Sequence, residues 1–133
     1  MEVEIVVSSQ QVRALLDATP ARIDRALSAA MTDATSYLLR QMRTYPPQRT
    51  GSSYRRTGTL GRSWFTRTEG RGADMVGHVE SAGATAPYNR RVQDRTLQAF
   101  MHVGRWQTAQ TVAERSTGAI NEMFAARIRA AVG

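Results

Sequence analysis

The sequence predicts a single α+β domain in which a small antiparallel sheet packs against two long helices. Two amphipathic patterns indicate the helices, because apolar residues recur every three to four positions over 20–43 and again beyond 108. Three short runs near positions 3, 64 and 76 have the alternation or aromatic content of strands. The length of 133 residues also suits one domain.

The N-terminal region predicts one strand followed by a short helix. Apolar residues alternate with two glutamates over positions 2–7, which is the period of a half-buried strand. Ser8 and Gln11 then have the spacing of a capping box. We therefore expect a strand and a capped helix before Thr19.

A long helix is predicted over 20–43. Pro20 suits the first helical position, where its missing N–H costs nothing, and Pro46 and Pro47 follow the last apolar position. An apolar stripe of this length must be buried against another element. The stripe consists of Ile23, Leu27, Ala30, Met31, Ala34, Leu38 and Met42.

Residues 44–59 predict an extended loop rich in proline, glycine and arginine. The segment holds Pro46, Pro47, Gly51 and Gly58 but little aliphatic content. Irregular segments longer than about 12–15 residues are usually functional or disordered. We therefore regard this loop as a candidate binding segment within the single domain 1–133.

Two strands joined by a tight turn are predicted next. Residues 60–68 and 75–80 are strand candidates, and the glycines at 70–72 suit the turn of a hairpin. Trp64 and Phe65 alternate on the first strand, so one of them should face the core.

The C-terminal third predicts a short helix and then the last long helix. Residues 87–92 suit the short helix, whereas 94–104 show no clear pattern. The last helix is expected to begin near Thr108 or Thr111. Gly118 favours a kink or break inside it, since glycine weakens a helix by roughly 1 kcal/mol against alanine.

Positive charge is concentrated in about a quarter of the chain. Residues 40–71 contain eight arginines and one acid, Glu69, whereas the remainder holds ten arginines and ten acids. The whole net charge of +7 therefore belongs to this segment. Every basic residue is an arginine, whose planar fork suits carboxylates and phosphates. We expect a local surface that faces an anionic partner.

The sequence predicts no catalytic, cofactor or metal site. Cysteine is absent, which excludes disulfides, thiolate nucleophiles and cysteine-bound zinc. His78 and Glu80 share one face of a strand, but a third ligand would have to come from elsewhere, so we interpret His78 as a surface residue of the hairpin. No serine-hydrolase elbow or phosphate-binding glycine loop occurs. A small basic nuclease using His102 and Arg105 is the remaining enzymatic alternative.

Cations and aromatic residues are interleaved in the arginine-rich segment. This mixture is typical of proteins that follow phosphates or single strands. Without a helix-turn-helix, RNA-recognition or zinc-finger pattern, such contacts would reach phosphates and not bases. The predicted partner-binding residues are Arg49, Tyr54, Arg55, Arg56, Arg62, Pro46, Pro47 and Trp64.

Two short segments carry the most distinctive motifs. Residues 56–63 read Arg-Thr-Gly-Thr-Leu-Gly-Arg-Ser after a proline-containing loop, and residues 87–93 read Pro-Tyr-Asn-Arg-Arg-Val-Gln. Over residues 20–106 the chain resembles small virion proteins of long-tailed bacteriophages, of the neck and tail-completion type. His102 and the tripeptide 104–106 fit a more divergent branch of that family.

The resemblance implies a structural virion protein with no enzymatic activity. Such proteins form oligomeric rings around the DNA channel and join the tail to the head as neck, tail-completion or tail-terminator (head-tail connector) subunits. The implied partners are further copies of the chain and adjoining head-closure, portal or tail-tube proteins, with non-specific contact to DNA in the channel.

Other aspects of the expected setting follow from composition and charge. No apolar run approaches the roughly 20 residues that cross a bilayer, so we expect no membrane partner. The implied location is the virion, assembled in the host cytoplasm. The alternative function is a nucleic-acid-binding accessory protein that contacts phosphates through residues 40–71.

Overall fold

The computed structural model describes residues 1–48, 51 and 57–133. They form the predicted α+β fold, with a three-stranded antiparallel sheet packed against helices. Short 3-10 turns lie at Gly72–Asp74 and Phe100–His102. The helices and strands are β1 (Glu2–Val6), α1 (Gln10–Ala18), α2 (Pro20–Met42), α3 (Thr59–Arg62), β2 (Trp64–Glu69), β3 (Val76–Ser81), α4 (Asn89–Gln93) and α5 (Ala109–Val132).

The sheet has the order β1-β3-β2, with β3 in the centre. Val79 of β3 lies opposite Val3 of β1 and Thr66 of β2. The predicted β2–β3 hairpin is confirmed. Its turn requires Gly70, which has φ +79° and no room for a Cβ, since one would lie 2.6 Å from the Asp74 carbonyl oxygen. The outer edges of β1 and β2 have no strand partner among the described residues.

The core lies between the inner face of the sheet and the two long helices, α2 and α5. Gly77 of β3 lets α2 approach the sheet closely, because a Cβ there would lie 2.5 Å from Met31 Sδ and 2.8 Å from Thr35 Cγ2. The predicted stripe of α2 is buried throughout. The main cluster contains Val3, Ile5, Met31, Ala34, Leu38, Met42, Trp64, Met75, Val79, Ala109 and Val112.

Capping side chains set the starts of α1 and α5. Ser9 Oγ accepts a hydrogen bond from Val12 N, so α1 begins one residue later than a Ser8 cap would place it. Thr108 Oγ1 accepts from Thr111 N, which decides between the two predicted starts of α5. The expected break at Gly118 does not occur, since α5 is continuous through it.

The prediction of a strand over 60–68 is wrong at its beginning. Residues Thr59–Arg62 form the helix α3, and the strand starts only at Trp64. Gly58 precedes the helix in the left-handed conformation, with φ +77°. Tyr45 Oη then accepts from Gly61 N at 2.8 Å and ties the helix to the segment after α2.

We expect Leu38→Ala to lower the free energy of unfolding by roughly 2–5 kcal/mol, because it leaves a cavity in the core. Leu38 is 1% exposed, on the face of α2 that meets the sheet and α5. Urea unfolding of both proteins measures the loss. An unchanged midpoint would contradict the assignment of this helix face.

Candidate functional site

The predicted arginine-rich loop lies partly outside the described residues. Four of the predicted partner-binding residues lie outside the residues that the structure describes: Arg49, Tyr54, Arg55 and Arg56. Residues 44–48, 51 and 57–58 contain no helix or strand. The chain leaves α2 and enters α3 at neighbouring points, because Tyr45 bonds Gly61. The loop therefore begins and ends in one region of the surface.

Side-chain contacts anchor the beginning of this loop. The Tyr45 ring packs against Trp106 at 5.3 Å between ring centroids. Arg105 Nη2 donates to the Pro47 carbonyl oxygen at 3.4 Å. Pro46 is half-buried and Pro47 is exposed. The prolines thus stand where the loop leaves the body of the protein.

The arginines next to the loop are held mainly by uncharged acceptors. Arg62 donates to the Thr57 carbonyl oxygen at 2.8 Å, and Arg43 donates to the carbonyl oxygens of Gly61 and Trp64 at 3.1 and 2.9 Å. Carbonyl oxygens satisfy the donors without cancelling the positive charge. The cations near the loop consequently remain available to attract an anionic partner.

Trp64 does not belong to a partner surface, so that prediction is corrected. Its side chain is wholly buried, and its Nε1 donates to Gln93 Oε1 at 2.9 Å. Alternation along β2 turns Trp64 inward and leaves Phe65 exposed on the other face.

An exposed apolar segment follows α4 and was not predicted from the sequence. Phe100 is 87% exposed, and Leu97, Met101 and Val103 are exposed as well. We call residues 97–103 the apolar projection. Gln98 fixes its path, because Gln98 Nε2 donates to the carbonyl oxygens of Val92, His102 and Trp106. The only sequence signal was the adjacent pair Phe100-Met101 in a region without periodicity.

A groove of about 500 Å³ lies between β1 and α5, and its lining includes none of residues 97–103. The groove is mostly apolar, with Glu114, Thr117 and Asn121 at its polar positions on α5. We call it the β1–α5 groove. Its apolar lining includes Ile5, Val12, Leu38, Ile120, Phe124 and Ile128.

The outer face of the sheet carries a cluster of charges around His78. The His78 side chain is only 5% exposed, so its interpretation as a surface residue is wrong. Nδ1 lies 3.1 Å from Glu2 Oε1 and 3.7 Å from Glu4 Oε1, and Nε2 lies 2.6 Å from Glu69 Oε1. Cross-strand pairing causes the burial, since β3 is central and its outward residues have neighbours on both sides.

Arg67 joins three of the carboxylates in this cluster. It contacts Glu69 at 2.7 Å, Glu80 at 2.9 Å and Glu2 at 3.9 Å. Its hydrogen bonds lower the pKa of Glu80 to about 2 and also lower the pKa of Glu69. Glu80 in turn raises the pKa of Glu2, because the two carboxylates lie side by side.

The pKa of His78 reflects two opposing effects. Burial lowers it, whereas the contacts with Glu2 and Glu69 raise it, and the net direction is upward. The pKa of the other histidine, His102, is lowered by burial and by the nearby Arg105. The described surroundings of His102 include no carboxylate ion pair that would orient it as a base.

No family model, curated protein or solved structure matches this chain. Within the described residues, no helix has the length and apolarity needed to span a bilayer. The molecule offers three surface features: a cationic loop region, an apolar projection with a separate apolar groove, and an acidic sheet face. The first two are suited to docking, and the third has the side chains of a cation site.

Proposed function

We propose that this chain is a structural subunit that assembles with its own copies into a closed ring at the head–tail junction of a long-tailed bacteriophage. One observation carries the assembly: a single subunit presents both the apolar projection and the β1–α5 groove. We infer the place in the virion from the resemblance of residues 20–106 to neck and tail-completion proteins.

The apolar projection and the groove suit a head-to-tail contact between copies. Four large apolar side chains are exposed close together in sequence, and contiguous exposed apolar patches mark interaction surfaces. The groove is lined by other residues than the projection, so a projection that fills the groove of the next copy makes a heterologous contact. Such contacts produce a ring when the rotation between neighbours closes. We therefore assign the projection of a second copy as the occupant of the groove.

The cationic loop region supports a second contact, with virion proteins that adjoin the ring along its axis. Each copy repeats the charge of residues 40–71, so a ring would hold these charges in one band. Salt limits their reach to about 8–10 Å, which restricts them to partners in direct contact. We propose that Arg49, Arg55, Arg56 and Arg62 face acidic surfaces of adjoining virion proteins or DNA in the channel.

Ring assembly is tested by mass photometry and negative-stain microscopy of the full chain over a range of concentrations. We expect one dominant oligomer whose images show a closed ring, because heterologous contacts that close leave no free ends. A strict monomer at every concentration would contradict the assembly. Portal and major-tail genes beside the coding gene are the expected genomic setting for the virion assignment.

A nucleic-acid-binding accessory protein is the second candidate function. It is favoured by the guanidinium groups of Arg43 and Arg62, whose positive charge is not offset by a carboxylate in their described hydrogen bonds. Anisotropy titrations of a short duplex separate the two functions. The accessory protein would bind DNA as a monomer with an affinity that falls steeply with salt, whereas the ring subunit requires assembly first.

A further inference from the structure

The acidic sheet face brings three metal-ligating side chains together. Glu2 of β1 lies opposite Glu80 of β3, and His78 precedes Glu80 by two residues on the same face. One ligand atom from each of the three lies within 4.8 Å of the others. We propose that Glu2, His78 and Glu80 bind a divalent transition-metal ion of the Zn²⁺ type, independently of ring assembly.

The buried imidazole is the observation that points to a cation. His78 faces the carboxylates, yet neither of its nitrogens has a hydrogen-bond partner of correct geometry among the described residues. Both ring nitrogens thus lie close to carboxylate oxygens, at 3.1 and 2.6 Å, without the geometry of a hydrogen bond, and buried polar atoms in that condition require an explanation. A metal ion bound on the Glu2 side would take the lone pair of Nδ1. Glu69 would then stand at Nε2, where metal-bound histidines commonly have a carboxylate neighbour.

The charge of the face also favours a divalent cation. Glu2, Glu4, Glu69 and Glu80 surround one arginine, Arg67, so the face is strongly acidic although the chain is basic overall. Two nitrogens of Arg67 donate hydrogen bonds to the Glu80 carboxylate, at 2.9 and 3.4 Å, and hold it in place. A bound ion would bridge β1 and β3 through side chains and fasten an edge strand to the centre of the sheet.

The donor set decides the class of metal. One imidazole nitrogen and two carboxylate oxygens are the ligand types of Zn²⁺, which leaves a fourth tetrahedral position for water. Mg²⁺ and Ca²⁺ prefer all-oxygen sites and use no histidine. The site therefore discriminates between the two kinds of divalent cation through His78.

Calorimetric titration of ZnCl₂ into tag-free, EDTA-treated full chain tests the site. We expect saturable binding of one Zn²⁺ per chain, a raised Tm, and visible absorption bands of tetrahedral Co²⁺ when Co²⁺ replaces Zn²⁺. MgCl₂ at the same concentrations should not compete. Absence of saturable Zn²⁺ binding by the wild-type chain would overturn the proposal.

A matched pair of variants separates a built site from general attraction to acids. Glu2→Gln and Glu4→Gln each remove one carboxylate from the same face of β1, but Glu4 is not one of the proposed ligands. We expect Glu2→Gln to weaken Zn²⁺ binding at least tenfold and Glu4→Gln to change it little. Equal weakening by both would overturn the site, and circular dichroism establishes that both variants fold. Zn²⁺ binding and ring assembly of the wild-type chain are read by different measurements, so failure of this site leaves the proposed function standing.

Discussion

Replacing Trp64 by alanine should lower the free energy of unfolding by about 3–5 kcal/mol. The indole is wholly buried at the start of β2, inside the main core cluster between the sheet and α2. Truncation removes its apolar contacts and leaves a cavity that the surrounding strands and helices fill only in part. It also removes the donor to Gln93 Oε1, and Gln93 is itself fully buried. A loss of this size is a large fraction of the stability of an ordinary domain.

Phe65→Ala is the matched control for this prediction. Phe65 is the next residue on β2 and is also aromatic, but it lies on the outer face and is 43% exposed. We expect it to cost less than about 1 kcal/mol. Urea unfolding with fitted m-values measures both variants, at concentrations below those of assembly so that association does not add stability. Equal losses at Trp64 and Phe65 would contradict the assignment of the two faces.

A double-mutant cycle separates the Trp64–Gln93 hydrogen bond from packing. Trp64→Phe keeps most of the ring but leaves Gln93 Oε1 without its donor, and Gln93→Leu leaves the indole N–H without its acceptor. Removing both partners together should cost less than the sum of the single changes. We expect a coupling of about 0.5–1.5 kcal/mol, the usual range for a neutral hydrogen bond.

Elements that depend on local pattern could be predicted from the sequence. The α2 stripe, the alternation in β1 and the glycine turn between β2 and β3 are all short-range signals, and each is confirmed. The choice between Trp64 and Phe65 was open, because alternation shows that two neighbours face opposite ways without showing which way is inward. The hydrogen bond to Gln93, 29 residues away, belongs to the tertiary structure.

The short helix α3 shows why some local predictions failed. The aromatic pair at 64–65 predicts a strand, and the predicted strand extends back to residue 60. In the structure, Tyr45 and Arg43, just after α2, bind the backbone of Gly61 in α3 from 16 and 18 residues earlier in sequence. Such long-range contacts override weak propensity in a four-residue segment.

The acidic face could be predicted only in part. The alternation of a strand predicts that His78 and Glu80 share one face. The third carboxylate or imidazole beside them depends on which strand pairs with β3 and in which register. Pairing of Glu2 with Glu80 brings the N-terminal strand beside a strand almost 80 residues later. Because the central position of β3 is also a matter of topology, the burial of His78 had no sequence signal.

Mixing two assembly-deficient variants should restore dimers but not rings. Phe100→Asp disables the apolar projection, and Thr117→Arg places a charged side chain in the β1–α5 groove. Each position is exposed, so neither change removes a core contact. Alone, each variant should weaken self-association at least tenfold, because a charge would have to be buried in an apolar contact.

The mixture distinguishes a heterologous contact from an isologous one. An intact Phe100 on the groove variant still meets an intact groove on the projection variant, so one productive contact forms per pair and growth then stops. Mass photometry of the equimolar mixture should therefore show heterodimers without larger species. Val132→Asp and Ala126→Arg make the same charge changes at exposed positions of α5 outside the groove and should leave rings intact. A mixture that stays monomeric, although both controls assemble, would show that the projection does not occupy the groove.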